Sequence, residues 1–230
     1  MDTLTGVIIV IVAAIVVGFI AGNGAVYMFN RLPDTWLCDY GEEPSKEVSV
    51  EGGQRIKSWP WKWVFSASFI VVGIYMGVSD WQYAVAGLCA CWLLLLLAWA
   101  DGKYKILPDQ LILVLAVMAL GFLPVGADAM TMIKGLAVGG GIMLGIWVIA
   151  RAIYGKEAMG FGDVKLCAAM GLLVGWHGAL FVIAAGSFGC GIYGGIQIIV
   201  RRLTRKDTVP MGPFLCGAGA AYIVILHQWF

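Results

Sequence analysis

Charged residues are scarce in this sequence. They account for 13% of its 230 residues, whereas hydrophobic residues account for 61%, and the mean hydropathy is +0.89. So few polar residues cannot cover the surface of a water-soluble globule. The composition therefore excludes a soluble domain and predicts an integral membrane protein whose surface contacts membrane lipids.

The sequence also lacks an excess of charge of either sign. Fifteen Lys and Arg residues are balanced by fourteen Asp and Glu residues, for a formal net charge of +1. A surface that binds nucleic acid needs a net basic face, because it must neutralise phosphates. We therefore expect no nucleic-acid partner.

Metal-binding and disulfide patterns are missing as well. None of the six cysteines forms a CxxC pair, so we expect small buried thiols, with no disulfide framework and no metal site. The two histidines, His177 and His227, fall at predicted outer ends of apolar runs. This placement leaves no serine–histidine or zinc arrangement on the opposite, basic side.

What the sequence does contain is a series of apolar runs, most of them close to the length of about 20 residues that crosses a bilayer as a helix. The runs cover residues 4–28, 62–79, 81–100, 106–124, 131–151, 164–176, 178–200 and 211–229. The first run is too long for a signal peptide, so we expect it to remain as a helix. The pattern predicts an all-α, polytopic membrane bundle of about eight transmembrane helices.

Basic residues are confined to alternate connections between these runs. Fourteen of the fifteen fall in segments 30–62, 101–107, 151–165 and 201–209, and only Lys134 does not. Cytoplasmic loops of membrane proteins carry such an excess of Lys and Arg. These four connections are therefore predicted to be cytoplasmic, with both termini on the other side.

Glycines spaced four apart recur within the runs and predict close helix packing. The pairs are Gly135 with Gly139, Gly141 with Gly145, Gly171 with Gly175, and Gly191 with Gly195.

Ionisable residues at membrane depth are costly, so each acidic residue near a predicted span is a functional candidate. Outside segment 30–62, the candidates on the predicted cytoplasmic side are Asp101, Asp109, Glu157 and Asp163. Asp163 follows Gly160 and Gly162, and glycines admit backbone conformations and close approaches that other residues do not. A helix N-cap is the alternative role for Asp163.

Two carboxylates held close together share one proton, because both do not ionise readily. The ionised group can act as general base on a water molecule while the protonated group polarises a scissile carbonyl. A pair of aspartates at one membrane face therefore favours peptide-bond hydrolysis.

Four motifs, in the same order, make this chain similar to the type IV prepilin peptidases, a family of GxGD-type membrane aspartyl proteases. Residues 159–165 (MGFGDVK) resemble the GxGD signature, and residues 101–109 (DGKYKILPD) resemble the motif in which an aspartate precedes Pro-Asp. Residues 209–215 (VPMGPFL) are similar to a proline–glycine–proline segment before the last helix. Residues 30–33 (NRLP) resemble the end of the first helix.

The resemblance implies an aspartic endopeptidase that removes the basic leader from type IV prepilins or related pseudopilins. Asp101 and Asp163 are then the catalytic pair, and Asp109 is a helix cap or a residue that supports the pair. The supporting motif residues are Gly160, Gly162, Lys165, Pro108 and Asp109. The implied location is the bacterial inner membrane, with several membrane passes and an active site that faces the cytoplasm.

Two functional regions follow from the resemblance. Residues 1–62 would hold the first transmembrane helix and a cytoplasmic polar loop for substrate recognition or methyl transfer, and residues 63–230 the protease core. The acidic excess of the loop would suit a basic leader, although a merely solvated acidic loop is the alternative. Its charged residues from 30 to 56 are Asp34, Asp39, Glu42, Glu43, Glu47 and Glu51 against Arg31, Lys46 and Arg55.

One departure from the family concerns this loop. Many bacterial members carry two CxxC pairs there and also N-methylate the new pilin terminus with S-adenosylmethionine, whereas the loop of this chain has only Cys38. Proteolysis is expected to need no cofactor. Methylation, with S-adenosylmethionine as its cofactor, stays open.

Three other interpretations fit part of the pattern. A presenilin-like protease shares GxGD but would bring a Tyr-Asp motif, which this sequence lacks. A proton-coupled transporter would use the same carboxylates as a relay, although its usual paired repeats and midplane sites are not found. A non-catalytic membrane scaffold makes no prediction for the aspartates.

Overall fold

The computed structural model describes residues 3–38, 55–154, 160–200 and 209–226. All regular secondary structure in these ranges is helical, which confirms the predicted all-α class. The chain forms two compact units, Met1–Leu96 and Leu97–Phe230. The predicted division between residues 62 and 63 separates functional regions and not compact units, and it stays a prediction.

The first unit contains helix α1 (Thr3–Arg31), helix α2 (Ser58–Ser79) and the larger part of helix α3 (Trp81–Tyr104). Small residues let α1 and α2 approach closely, because a Cβ on Gly22 would collide with the backbone of Ser66. Trp92 of α3 donates from its indole N–H to the Ala21 carbonyl oxygen of α1 at 3.0 Å. One close packing contact and one hydrogen bond thus join three apolar helices.

The end of α1 is held by the buried side chain of Arg55. Its guanidinium donates to the carbonyl oxygens of Phe29 and Leu32, at the end of α1 and just after it. It also pairs with the Asp34 carboxylate. Asn30 adds two bonds to the backbone of Ile56, accepting from its N–H at 2.8 Å and donating to its carbonyl at 3.1 Å. The buried charge is therefore paired and hydrogen-bonded, as burial requires.

The second unit contains the end of α3 and four further helices. They are α4 (Asp109–Met118), α5 (Ala129–Tyr154), α6 (Phe161–Ile199) and α7 (Gly212–Ala221). A 3-10 segment, Ala119–Val125, extends α4, and a π-helical turn, Tyr222–Leu226, extends α7.

Helix α6 folds back on itself at Gly175, whose φ of 71° and ψ of −178° are accessible essentially to glycine alone. A Cβ placed on Gly139 of α5 would meet both the Cys167 backbone and, at 3.5 Å, the side chain of Ala179. In a straight helix those two residues would be about 18 Å apart. We call residues 161–174 the first arm of α6 and residues 176–199 its second arm.

The described helices account for each predicted apolar run. Five are long and apolar enough to cross a membrane: Leu4–Arg31, Ser58–Ser79, Trp81–Tyr104, Ala129–Ile153 and Phe161–Ile199. Asp109–Val125 and Gly212–Leu226 are shorter apolar helices. The runs 164–176 and 178–200 are the two arms of α6, which explains why one long helix replaces two predicted spans.

The glycine prediction is partly right. Gly135 and Gly171 lie against each other's carbonyl oxygen, so α5 and the first arm of α6 pack at backbone distance. The prediction is wrong for two pairs, because a Cβ on any of their glycines would meet nothing within 4 Å in the described structure. These glycines are Gly141, Gly145, Gly191 and Gly195.

Candidate active site

Asp101 lies in the last turn of α3 and is buried, with 6% of its surface exposed. Its Oδ2 accepts a hydrogen bond of 2.8 Å from the backbone N–H of Gly212, at the start of α7. Met211, the N-cap residue of α7, makes no capping bond through its own side chain. Asp101 therefore occupies the N-terminal end of α7 from another helix, where a carboxylate is favoured by the helix dipole.

Position 212 has no room for a side chain, because the Asp101 carboxylate lies against it. A Cβ there would lie 2.6 Å from Asp101 Oδ2 and 2.9 Å from its Cγ. A Cβ added to Gly102, the residue after Asp101, would make an ordinary contact of 3.5 Å with the ring of Pro213. The start of α7 thus fixes the position of the Asp101 carboxylate.

Asp163 lies in the first turn of α6 and is also buried, with 8% exposed. The N-cap of α6 is Gly160, so the alternative prediction that Asp163 caps this helix is wrong. Its backbone N–H donates to the Gly160 carbonyl at 3.3 Å. Its Oδ1 is buried and has no hydrogen-bond partner among the described residues, which is a costly state for a structural carboxyl group.

The two carboxyl groups lie within electrostatic reach of each other. The charge of Asp101 acts on Asp163, and both charges act on the buried thiol of Cys216 in α7. Cys190, in the second arm of α6, is within reach of both as well. The end of α3, both arms of α6 and α7 therefore border one region that contains both carboxyl groups.

The glycines of the GxGD motif act differently from the sequence prediction. Gly160 has φ −66° and ψ 138°, a conformation open to any residue, so its backbone does not require glycine. Gly162 does need its small size, because a Cβ there would lie 3.1 Å from the Cβ of Leu107. The start of α6 can therefore lie directly against the chain that leads into α4.

Asp109 and Lys165 form an ion pair near this contact. Lys165 Nζ donates to Asp109 Oδ2 at 2.6 Å. Asp109 is in the first turn of α4, and Pro108 is the N-cap residue. The predicted supporting residues are thus grouped around the starts of α4 and α6, and Asp109 does not join the buried carboxyl pair.

Other acidic residues have ordinary structural partners. Asp80 accepts backbone N–H bonds at the start of α3, and Asp128 accepts the N–H and hydroxyl of Thr131 at the start of α5. Asp34, counted above among acids that would suit a basic leader, is paired with Arg55. Glu157 and the loop acids between 39 and 51 lie outside the described residues.

The cysteines agree with the expectation in part. All six are free, and Cys167 and Cys216 are buried, whereas Cys89 is exposed. Sequence reasoning missed the N–H donor at Gly212 and the thiols beside the carboxyl pair. The only available signal for Gly212 was a glycine between two prolines at a helix start.

Comparison with known proteins gives an independent result. The profile of the type IV leader peptidase family matches residues 88–195. A prepilin leader peptidase/N-methyltransferase of Xanthomonas campestris pv. campestris is 30% identical over 193 residues, which cover 80% of this chain and 63% of the relative.

Two further relatives extend this result. A protein of the same description from Aeromonas salmonicida is 33% identical over 158 residues, covering 66% of this chain and 53% of the relative. The leader peptidase HopD of Escherichia coli is 36% identical over 146 residues, covering 57% of this chain and 86% of HopD. This chain thus spans 63% and 53% of the first two relatives. No solved structure matches the chain.

Proposed function

Because this chain belongs to the type IV leader peptidase family, we propose that it is an aspartic endopeptidase of the membrane. Its substrates are type IV prepilins or related pseudopilins, from which it removes the basic leader. The observation that carries this proposal is that two aspartates, Asp101 and Asp163, are both buried and that Asp163 lies within reach of the charge of Asp101.

The two carboxyl groups have different surroundings, which supports different starting roles. A backbone N–H donor stabilises the negative charge of a carboxylate, so we assign the charge to Asp101, the acceptor of the Gly212 N–H. We assign the shared proton to Asp163, whose buried Oδ1 has no partner among the described residues.

Hydrolysis then proceeds through general acid–base catalysis. Asp101 takes a proton from water while the water oxygen bonds to the scissile carbonyl carbon, and Asp163 gives its proton to the carbonyl oxygen. When the carbon–nitrogen bond breaks, the amide nitrogen takes the proton from Asp101, and a hydroxyl of the intermediate returns a proton to Asp163. Both carboxyl groups end in their starting states.

The proposed orientation places this site at the cytoplasmic face of the bacterial inner membrane. The concentration of basic residues on one side of the predicted spans supports it. The acidic excess of segment 30–56 supports a role in receiving a basic leader. Asp34 contributes little to that role, because its carboxylate is already paired with Arg55.

Methylation of the new N-terminus would need S-adenosylmethionine, which supplies an electrophilic methyl group. Two exposed or half-exposed carboxylates of the described chain are already paired, Asp109 with Lys165 and Asp34 with Arg55. Residues 39–54, in the loop that the family resemblance links to methyl transfer, lie outside the described residues. The mechanism therefore contains no step that depends on it.

Cleavage of a synthetic prepilin peptide by the purified chain in detergent tests the proposal. We expect two products that meet at the leader junction, identified by mass, and no products with Asp163→Asn. With S-adenosylmethionine added as the methyl donor, an added 14 Da on the mature product would establish methylation. Family membership disfavours the alternative of a proton-coupled transporter. Absence of cleavage by the unmodified chain, together with proton flux in proteoliposomes that Asp163→Asn abolishes, would favour that transporter instead.

A further inference from the structure

The ion pair between Lys165 and Asp109 joins the two chain segments that flank the carboxyl pair. Lys165 follows Asp163 by two positions on α6, and Asp109 begins α4. Residues two apart on a helix point in nearly opposite directions. Lys165 is accordingly 41% exposed, whereas Asp163 is buried, so the two side chains are joined only through the backbone of α6.

Lys165 has two favourable neighbours for its positive charge. The first turn of a helix carries partial positive charge and favours acidic side chains, and Lys165 lies just after that turn, as the fifth residue of α6. Asp109, in the first turn of α4, supplies the opposite charge at 2.6 Å. The ring of Phe161, 5.5 Å from the Lys165 ammonium, is a second favourable neighbour.

A second close contact lies beside the ion pair. Gly162 rests against the Leu107 side chain, and an added Cβ would lie only 3.1 Å from it, so two adjacent contacts hold the start of α6 to the start of α4. The ring of Phe161 also packs edge-on against the ring of Trp147 in α5, with 5.5 Å between the ring centroids. The first turn of α6 is thus held from both neighbouring helices.

We propose that Lys165 and Asp109 are positioning residues. They hold the first turn of α6 so that the Asp163 carboxyl group keeps its position relative to that of Asp101. This inference rests on the proposed function of the two aspartates. An exposed ion pair contributes little to overall stability. Its loss should therefore lower the rate of cleavage while leaving folding and substrate affinity nearly unchanged.

The test is a double-mutant cycle with Lys165→Met, Asp109→Asn and both together, measured as kcat and KM for a prepilin peptide. Each single change should lower kcat by roughly tenfold with KM unchanged, since small misplacements of catalytic groups cost this much or more. The double variant should be no slower than the single ones, because either change alone breaks the pair. Lys165→Arg should retain kcat, and thermal unfolding in detergent should be unchanged throughout.

Lys134→Met is the matched control, because it removes an exposed lysine near the start of α5. Losses in kcat that multiply in the double variant, or single variants as fast as the unmodified chain, would overturn the inference. A rise in KM with unchanged kcat would overturn it as well, since Asp109 would then bind the basic leader. These results leave the proposed function standing, which fails if the unmodified chain does not cleave the peptide or if Asp163→Asn retains cleavage.

Discussion

At the scale of single residues, chemistry could be read from the sequence but contacts could not. Asp101 and Asp163 were identifiable because carboxyl groups at membrane depth are costly and few. The partner of Asp101 was not, because the Gly212 N–H lies 111 positions away. The ion pair of Lys165 with Asp109 similarly joins residues 56 positions apart.

Gly212→Ala is expected to impair cleavage without unfolding the protein. The new methyl group would displace the Asp101 carboxylate, which now lies where that group would be. A misplaced catalytic group of this kind costs roughly tenfold to a hundredfold in rate. Peptide cleavage and thermal unfolding, measured on the same preparation, would separate the two effects.

Gly217→Ala is the control for this change, because it adds a methyl group to the same helix with nothing described within 4 Å. It should cleave at the normal rate. A Gly212→Ala variant as active as Gly217→Ala would show that the contact with Asp101 has no catalytic importance.

At the scale of helices, the apolar pattern predicted the elements well and their packing less well. The break between runs 164–176 and 178–200 corresponds to the reversal at Gly175. Helix faces were harder to assign, because a face against lipid and a face against another helix are both apolar. The glycine spacing therefore gave the right contact at Gly135 and Gly171 and the wrong one at Gly141 and Gly145.

Gly175→Ala should destabilise the protein. The φ and ψ of Gly175 are strained for any residue with a Cβ, at a cost of roughly 1–3 kcal/mol, and the added Cβ would lie 2.9 Å from Cγ2 of Thr131. Denaturant unfolding in detergent would measure the loss. Combining the change with Thr131→Ser, which keeps the hydroxyl and removes Cγ2, should recover only the part that is due to the collision.

Gly141→Ala serves as the reference for helix propensity, because its added methyl group meets nothing described within 4 Å. It should leave stability unchanged or raise it slightly. Equal stability of Gly175→Ala and Gly141→Ala would contradict the reversal of α6 at Gly175.

At the scale of the whole molecule, composition predicted a membrane protein, the apolar runs predicted a polytopic helical bundle, and the order of four motifs predicted the family. These predictions are confirmed. The division into units at Leu96 and Leu97 was not predicted, since it falls inside α3, where the apolar pattern continues without a break. Membrane orientation remains a prediction from the placement of basic residues.

The most direct test of the central claim is the rate of prepilin-peptide cleavage by Asp101→Asn, Asp163→Asn, the double variant and Asp109→Asn. If the two buried aspartates act as one unit, both single variants abolish cleavage, and the double variant shows no further loss. Asp109→Asn should retain measurable activity. Cleavage retained by Asp163→Asn would contradict the account, and a complete loss in Asp109→Asn would mean that Asp109, and not Asp101, is the catalytic partner.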